Sequence, residues 1–198
     1  SDVYKRQDID GESVNDNSGR SVAFNAAGNR IIIGANGNNG SAPYSGHARV
    51  YDWDGSAWTQ VGGDINGEAG SDYSGWKVAM NNAGNRVLVG AIYNTGNGYR
   101  AGHARMFSHD GTNWVQMGSD IDGENAEDEF SWSAAMNGAG SRVVISAYKN
   151  DGTGTNAGHT RIFEWDGTTW NQLGSDIDAE AAEDQAGYAV SMSDAGDR

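Results

Sequence analysis

The hydrophobic positions of this chain come in short alternating runs, never in one long apolar segment. In 76–81 (WKVAMN), Val78 and Met80 fall on one side of an extended strand and Ala79 on the other. The turn NAGN then leads into the uninterrupted apolar run Val87-Leu88-Val89. Period two followed by a continuous triplet predicts a hairpin whose second strand is buried on both faces. After a Gly/Asn-rich loop, HARMFSHDGTNWVQMG places Ala104 and Met106 on one face, an Asp110-Gly111 turn, and a short strand carrying Trp114. Asp-Gly between alternating runs is the strongest short hairpin signal. Two hairpins of this size predict one four-stranded antiparallel sheet.

The pattern repeats without a gap: Asp8 recurs as Asp64, Asp120 and Asp176, and Trp58 as Trp114 and Trp170, each 56 residues on. The units are 8–63, 64–119 and 120–175, with a partial unit 176–198. A unit that cannot bury its own face must stack on a neighbour. The expected fold class is therefore all-β, a β-propeller fragment of four-stranded antiparallel blades. About three and a half blades form a single domain over 8–198. A parallel β-helix ranks second, because it needs shorter coils and far fewer Asp-Gly hairpins. Small residues at Ala23, Ala79, Ala135 and Ser191 alternate with the larger Phe24, Met80, Met136 and Met192. Such alternation lets one sheet approach its neighbour closely while filling the gap on its other face.

Composition agrees and narrows the partners. Thirty glycines against one proline suit many tight turns. The formal charge of −14, with no Lys/Arg cluster, leaves no electrostatic footprint for nucleic acid or an anionic membrane. No apolar run approaches the ~20 residues of a membrane span, so no membrane insertion is expected. Without cysteine there is no disulfide, thiolate metal site or Cys nucleophile, and the redox compartment stays open. Residues 1–7, SDVYKRQ, match nothing that follows, and Asp2 to Gln7 resemble the translation of a transposon end used in preparing sequencing libraries. They are set aside as foreign to the fold. The native amino terminus would then be missing, and a signal peptide could not be read.

The blocks SGRSVAFNAAGNRIIIGAN…GHARVY and SGWKVAMNNAGNRVLVGAI…GHARMF resemble the FG-GAP repeats of integrin α-subunit propellers and their bacterial relatives. The FG position is Ser18-Gly19, Ser74-Gly75, Phe130-Ser131 and Ala186-Gly187. The GAP position is Gly34-Ala35-Asn36, Gly90-Ala91-Ile92 and Ser146-Ala147-Tyr148. The resemblance covers the chain from about residue 8 onward and rests on spacing and strand order more than on letters. It implies a propeller, commonly of seven blades, used for extracellular or cell-surface recognition and adhesion. The family's calcium often sits in an acidic hairpin between the first two strands. Here that hairpin reads NAAGNR, NNAGNR and NGAGSR, so the usual metal site does not carry over.

Acids recur elsewhere, as Asp8/Asp10/Glu12/Asp16, Asp64/Asn66/Glu68/Asp72, Asp120/Asp122/Glu124/Asp128 and Asp176/Asp178/Glu180/Asp184. Oxygens at alternate positions with a later closing carboxylate suit calcium, the one cofactor the chain suggests. The glycine falls at the fourth position of the loop instead of the sixth, and Ala179 replaces it in the last copy. An acidic corner capping backbone amides, anchored by Ile9, Ile65, Ile121 and Ile177, is the competing reading. His47, His103 and His159 also repeat. A zinc ion shared among them is disfavoured by blade separation, and hydrogen bonding where the strand begins is the preferred reading. Arg49, Arg105 and Arg161 are expected to pair with the repeated acids between blades.

Positions that vary among units are better candidates for ligand binding. Arg20, Trp76, Trp132 and Tyr188 occupy one such position, and Tyr44, Tyr93, Tyr99 and Tyr148 lie on the long loops 36–46, 92–102 and 148–158. Planar groups there could stack on sugars or peptide side chains, or could simply cover the next blade's edge. The expected function is recognition of a protein or glycan. A propeller-type polysaccharide lyase or glycoside hydrolase, or a structural array in a large surface protein, are the alternatives. No catalytic residue stands out: with 26 acids after residue 7, some carboxylate pair lies at a usable distance by chance. An arc of blades also leaves one face and one strand edge uncovered, a route to self-association.

Overall fold

The computed structural model describes residues 8–198, and the opening heptapeptide set aside above lies outside the described residues. Three antiparallel sheets follow one another along the chain. In the first, β1 (Ser18–Phe24), β2 (Arg30–Ala35), β3 (His47–Trp53) and β4 (Trp58–Gln60) lie side by side in order, and β5 (Ile65–Asn66) also pairs with β3. In the second, β6 (Ser74–Met80), β7 (Arg86–Ala91), β8 (His103–His109) and β9 (Trp114–Gln116) are completed by β10 (Ile121–Asp122). In the third, β11 (Ala134–Met136), β12 (Arg142–Ala147), β13 (His159–Trp165) and β14 (Trp170–Gln172) are completed by β15 (Ile177–Asp178). The fold is all-β with a repeat of about 56 residues, the arrangement of about three propeller blades.

The outer lane of each sheet differs from a simple fourth strand. In the first sheet Gln60 and Trp58 pair with Tyr51 and Trp53 at one end of β3, while Asn66 and Ile65 pair with His47 and Ala48 at the other. The lane is thus two pieces of chain separated around Gly62-Gly63, and the second piece is the start of the next acidic loop. Ile65 and Ile121 are buried there as anchors, whereas Ile177 is 57% exposed. Gly123 belongs to this device: its N–H donates to the Gly102 carbonyl at 2.8 Å, and a Cβ on it would lie 2.1 Å from the Ala101 oxygen. That close approach is why glycine stands fourth in the loop. With Ala179 at the same place the corresponding bond to Gly158 is 3.1 Å.

Successive sheets bury each other. One core holds Ile32, Ala48 and Val50 of the first sheet against Val78, Met80, Val87 and Val89 of the second. A second holds Ala79, Leu88 and Met106 against Phe130, Ala134, Val143 and Ile145. Strand β7, buried at five consecutive positions after Arg86, therefore has both faces covered. Polar links run between units as well. The Trp114 and Trp170 indoles donate to the Val61 and Met117 carbonyls of the preceding unit at 2.9 and 3.0 Å. Arg30, Arg86 and Arg142 donate to the turn carbonyls of Gly84, Gly140 and Gly196 in the following unit.

The hairpin between the first two strands of each unit is held by amides. Asn25 Oδ1 accepts the N–H groups of Asn29 and Arg30 at 3.1 and 3.0 Å, and Asn81 and Asn137 repeat the arrangement. Turn joins turn through Ala26 N–H to Asn82, Asn82 N–H to Gly138 and Gly138 N–H to Asp194.

Candidate functional site

In the first two units a glycine near the start of the first strand, Gly19 or Gly75, opens a bulge. Pairing of β1 with β2 slips between Ser18 and Ser21, and that of β6 with β7 between Ser74 and Lys77. Gly75 there has φ 84°, and a Cβ on it would lie 2.2 Å from the His47 oxygen. A bulge with a left-handed first residue re-aims the residue after it. Those residues are Arg20 and Trp76. In the third unit Ser131 takes φ 76° in place of glycine, and its hydroxyl donates to the His103 carbonyl at 2.8 Å. Trp132 follows it.

The four residues picked from sequence as a variable position meet in one row. Arg20 lies over the Trp76 ring at 3.8 Å, Trp76 meets Trp132 with centroids 5.1 Å apart, and Trp132 meets Tyr188 at 5.4 Å. Together with Ser21, Lys77, Ser133 and Ala189 they line a cleft of about 360 Å³. Tyr188 is 59% exposed, so the row keeps an open end. Burial lowers the Lys77 ammonium from its ordinary value, and neighbouring Arg20 adds to this. Tyr148, expected on a binding loop, is buried beneath the row, its ring 4.2 Å from Trp132.

The remaining loop tyrosines form a second cluster. Tyr44 stacks on Tyr73 at 5.8 Å, Tyr73 meets Tyr93 edge-on at 5.1 Å, and Arg100 lies 4.4 and 5.2 Å over Tyr93 and Tyr99. Tyr73, Tyr93, Tyr99 and Arg100 line a cleft of about 290 Å³. Sequence reasoning missed Tyr73, Arg100 and Lys77. For Tyr73 a signal existed, since Asn17, Glu129 and Gln185 stand at the same place in the other units.

In the third unit Glu129 and Lys149 replace the Tyr73–Tyr93 pair. Lys149 Nζ donates to Glu129 Oε1 at 2.8 Å and the Tyr148 hydroxyl to Oε2 at 3.1 Å. The hydrogen bond to Glu129 raises the Lys149 ammonium, and burial, then the Glu129 charge, raises the Tyr148 phenol. A charged lysine and a neutral tyrosine are the resting forms of an ion pair, not an activated nucleophile or base.

The acidic loops are shared out among neighbours. Asp120 Oδ1 accepts Gln116 Nε2 at 2.7 Å, while its other oxygen is 3.4 Å from His103 Nδ1. The His103 ring holds the Asp120 carboxyl below the usual range, and burial raises that of Asp122. Glu124 turns instead to the third unit, 3.9 Å from His159 and 3.4 Å from Arg161. Asp128 is buried and accepts the Asn125 N–H and the Asn150 amide at 3.1 and 2.9 Å. Asp72 does the same with Ala69 and Asn94. The Asn66 and Asp122 carbonyls accept Arg105 and Arg161 at 2.6 and 2.7 Å. The acids of one loop are divided between neighbours: Asp64 faces His47 and Glu68 faces His103, while Asp176 and Asp178 both approach His159, at 3.7 and 4.0 Å.

What does meet is one histidine with acids from two successive loops: Glu12, His47 and Asp64; Glu68, His103 and Asp120; Glu124, His159 and Asp176, all with donor atoms within 4.8 Å of one another. The histidine side chains are 1% exposed. Among the described residues, the hydrogen bonds expected where their strands begin are absent at His47, where neither ring nitrogen has a partner. Burial holds His47 and His159 below their ordinary value and therefore neutral. Arg49, Arg105 and Arg161 pair with Glu12, Glu68 and Glu124, as the repeat pattern led us to expect.

No protein-family model and no curated protein sequence matches the chain. Among solved structures it is similar to a candidate 6-phosphogluconolactonase from Bacteroides uniformis, with TM-score 0.51 and 10% identity over 79% of this chain. It also matches the hydrazine synthase of Kuenenia stuttgartiensis, with TM-score 0.47 and 6% identity over 87% of this chain. The chain spans about 40% of the length of each. The first likeness speaks for the fold alone.

Proposed function

We propose that this propeller-like array is a recognition module of the FG-GAP kind, working outside the cell or on its surface and binding a protein or glycan. The observation that carries the reading is the row Arg20, Trp76, Trp132 and Tyr188, set on bulges along one cleft. This position changes from unit to unit and still converges. Aromatic faces and a guanidinium suit the apolar face of a sugar ring or a planar side chain, and rigid aromatics lose little entropy on binding.

The test is a screen of neutral and acidic oligosaccharides and of peptides, followed by calorimetry with any hit. Trp76→Ala and Trp132→Ala should each weaken binding by tenfold or more, as truncations of central aromatics do. Unchanged affinity in both, with the fold intact by circular dichroism, sinks the reading. An enzymatic reading has its best candidate in Glu129, Lys149 and Tyr148, and the satisfied ion pair there weighs against it. The open face of the first sheet, where Val22 and Phe24 are each 51% exposed, is where a further unit or second copy would seat. Concentration-dependent sedimentation reduced by Phe24→Asp would support this, and a monomer at every concentration would refute it.

A further inference from the structure

Among the described residues, each repeated histidine buries at least one ring nitrogen without a hydrogen-bond partner. His47 is the plainest case: its side chain is 1% exposed, neither nitrogen has a hydrogen-bond partner, and Nδ1 points between two carboxylates. Burying a polar atom unpaired is unfavourable, yet Nε2 lacks a partner at all three histidines and the same two acid types face Nδ1 in each unit. At His47 and His159 the carboxylates stand beyond ordinary hydrogen-bond reach, while at His103 Asp120 lies 3.4 Å from Nδ1. His47 Nδ1 lies 3.8 Å from both Glu12 and Asp64, and His159 Nδ1 lies 3.9 and 3.7 Å from Glu124 and Asp176.

Those gaps are the separation of ligands around an ion. Donor atoms 2.0–2.2 Å from a tetrahedral metal stand about 3.4 Å from one another, and small closures of surface carboxylates bring the observed distances there. The acids are also prepared for it. Gln60, Gln116 and Gln172 hold one oxygen of Asp64, Asp120 and Asp176 at 2.7, 2.7 and 2.6 Å, and the other oxygen faces the histidine. Arg49, Arg105 and Arg161 likewise face Oε1 of the glutamates, leaving Oε2 toward the ring. Outer partners that fix a ligand's orientation are the usual support of a metal centre.

We propose that each His/Glu/Asp triple binds one divalent transition ion of the zinc class. One imidazole nitrogen with two carboxylate oxygens suits zinc, cobalt or manganese, whereas calcium and magnesium prefer oxygen alone. The glutamate comes from the acidic loop that opens a unit and the aspartate from the loop that opens the next. The ion therefore clamps both loops onto the third strand of that unit.

The test uses the whole chain after treatment with a chelator and its removal. Zn²⁺ and Co²⁺ are titrated by calorimetry, and Co²⁺ also by visible absorption, with Ca²⁺ and Mg²⁺ as controls. Three equivalents are expected for the first two ions. His103→Gln and, separately, Glu68→Gln should each remove one equivalent and about a third of the cobalt absorption. Glu68 is 45% exposed, so its variant keeps the fold should the buried histidine variant lose it. Failure of the folded protein to take up Zn²⁺ or Co²⁺ overturns the proposal, as does an unchanged stoichiometry in the Glu68 variant. Tighter binding of Ca²⁺ than Zn²⁺ overturns it too, assigning the acids to an all-oxygen site.

Discussion

The first and second sheets are nearly the same sheet in different surroundings. Val78 and Met80 on β6 are 2% and 8% exposed, while Val22 and Phe24, one repeat earlier on β1, are each 51% exposed. Strand pairing is conserved down to the bulge, so the difference lies wholly in whether a neighbour covers the face. Local pattern makes the hairpin, and stacking makes the core. In such an array a residue's energetic weight depends on its place in the sequence of units as much as on its type.

Substitutions at equivalent positions should break this symmetry. Gly75→Ala sets a methyl 2.2 Å from the His47 oxygen at φ 84°, whereas Gly19→Ala, at φ 90°, meets nothing within 4 Å. Gly19→Ala should lose only the left-handed strain of about 1–2 kcal/mol. Gly75→Ala should lose several kcal/mol more, or fail to fold, in urea unfolding. Met80→Ala should cost about 2–5 kcal/mol, and Phe24→Ala within about 0.5. Equal losses would mean that the first sheet is covered in solution. Trp114→Phe gives up the indole bond to Val61 and should cost about 1 kcal/mol more than Trp58→Phe, whose ring rests on Phe24 and Trp53.

The smallest effect expected is on pH. Burial depresses His47 and His159 in the folded state, so below the ordinary histidine range the unfolded chain binds more protons. Stability is full above about pH 6.5 and falls as pH drops from there toward the folded values. Thermal melts of the metal-free chain from pH 8 to 5 should show the decline, and His47→Gln with His159→Gln should flatten it. A slope unchanged in that variant would locate the titration elsewhere.

Much of the fold was legible because hairpins are local. WKVAMN, NAGN and the Asp-Gly turns each state their own geometry, and Asp110 Oδ1 does accept the Thr112 and Asn113 N–H groups at 2.8 Å. The split outer lane was not legible, since two-residue strands such as Ile65–Asn66 carry no periodicity. The aromatic row was legible as a position that varies. Its convergence was not, because the bulge that aims it arises from pairing. The histidine centres were hidden for another reason. Spacing within one loop suggested that Asp120, Asp122, Glu124 and Asp128 act together, but the partners that meet are Glu68 and Asp120, from different copies. Only the shared recurrence of Glu, His and Asp at one period could have joined them.

The borrowed piece of outer strand bears on how such a chain could change length. Because β5 and β10 finish the sheet of the unit before them, the sequence repeat and the structural blade are out of phase. A recombination joint at the start of the acidic loop would sever one blade's edge. Any insertion or loss of 56 residues, wherever its ends fall, nonetheless restores both the edge and the histidine's two acids from the neighbouring copies. The number of blades can thus drift by unequal crossing-over without any joint having to be redesigned, while the row of exposed aromatic positions gains or loses one member each time.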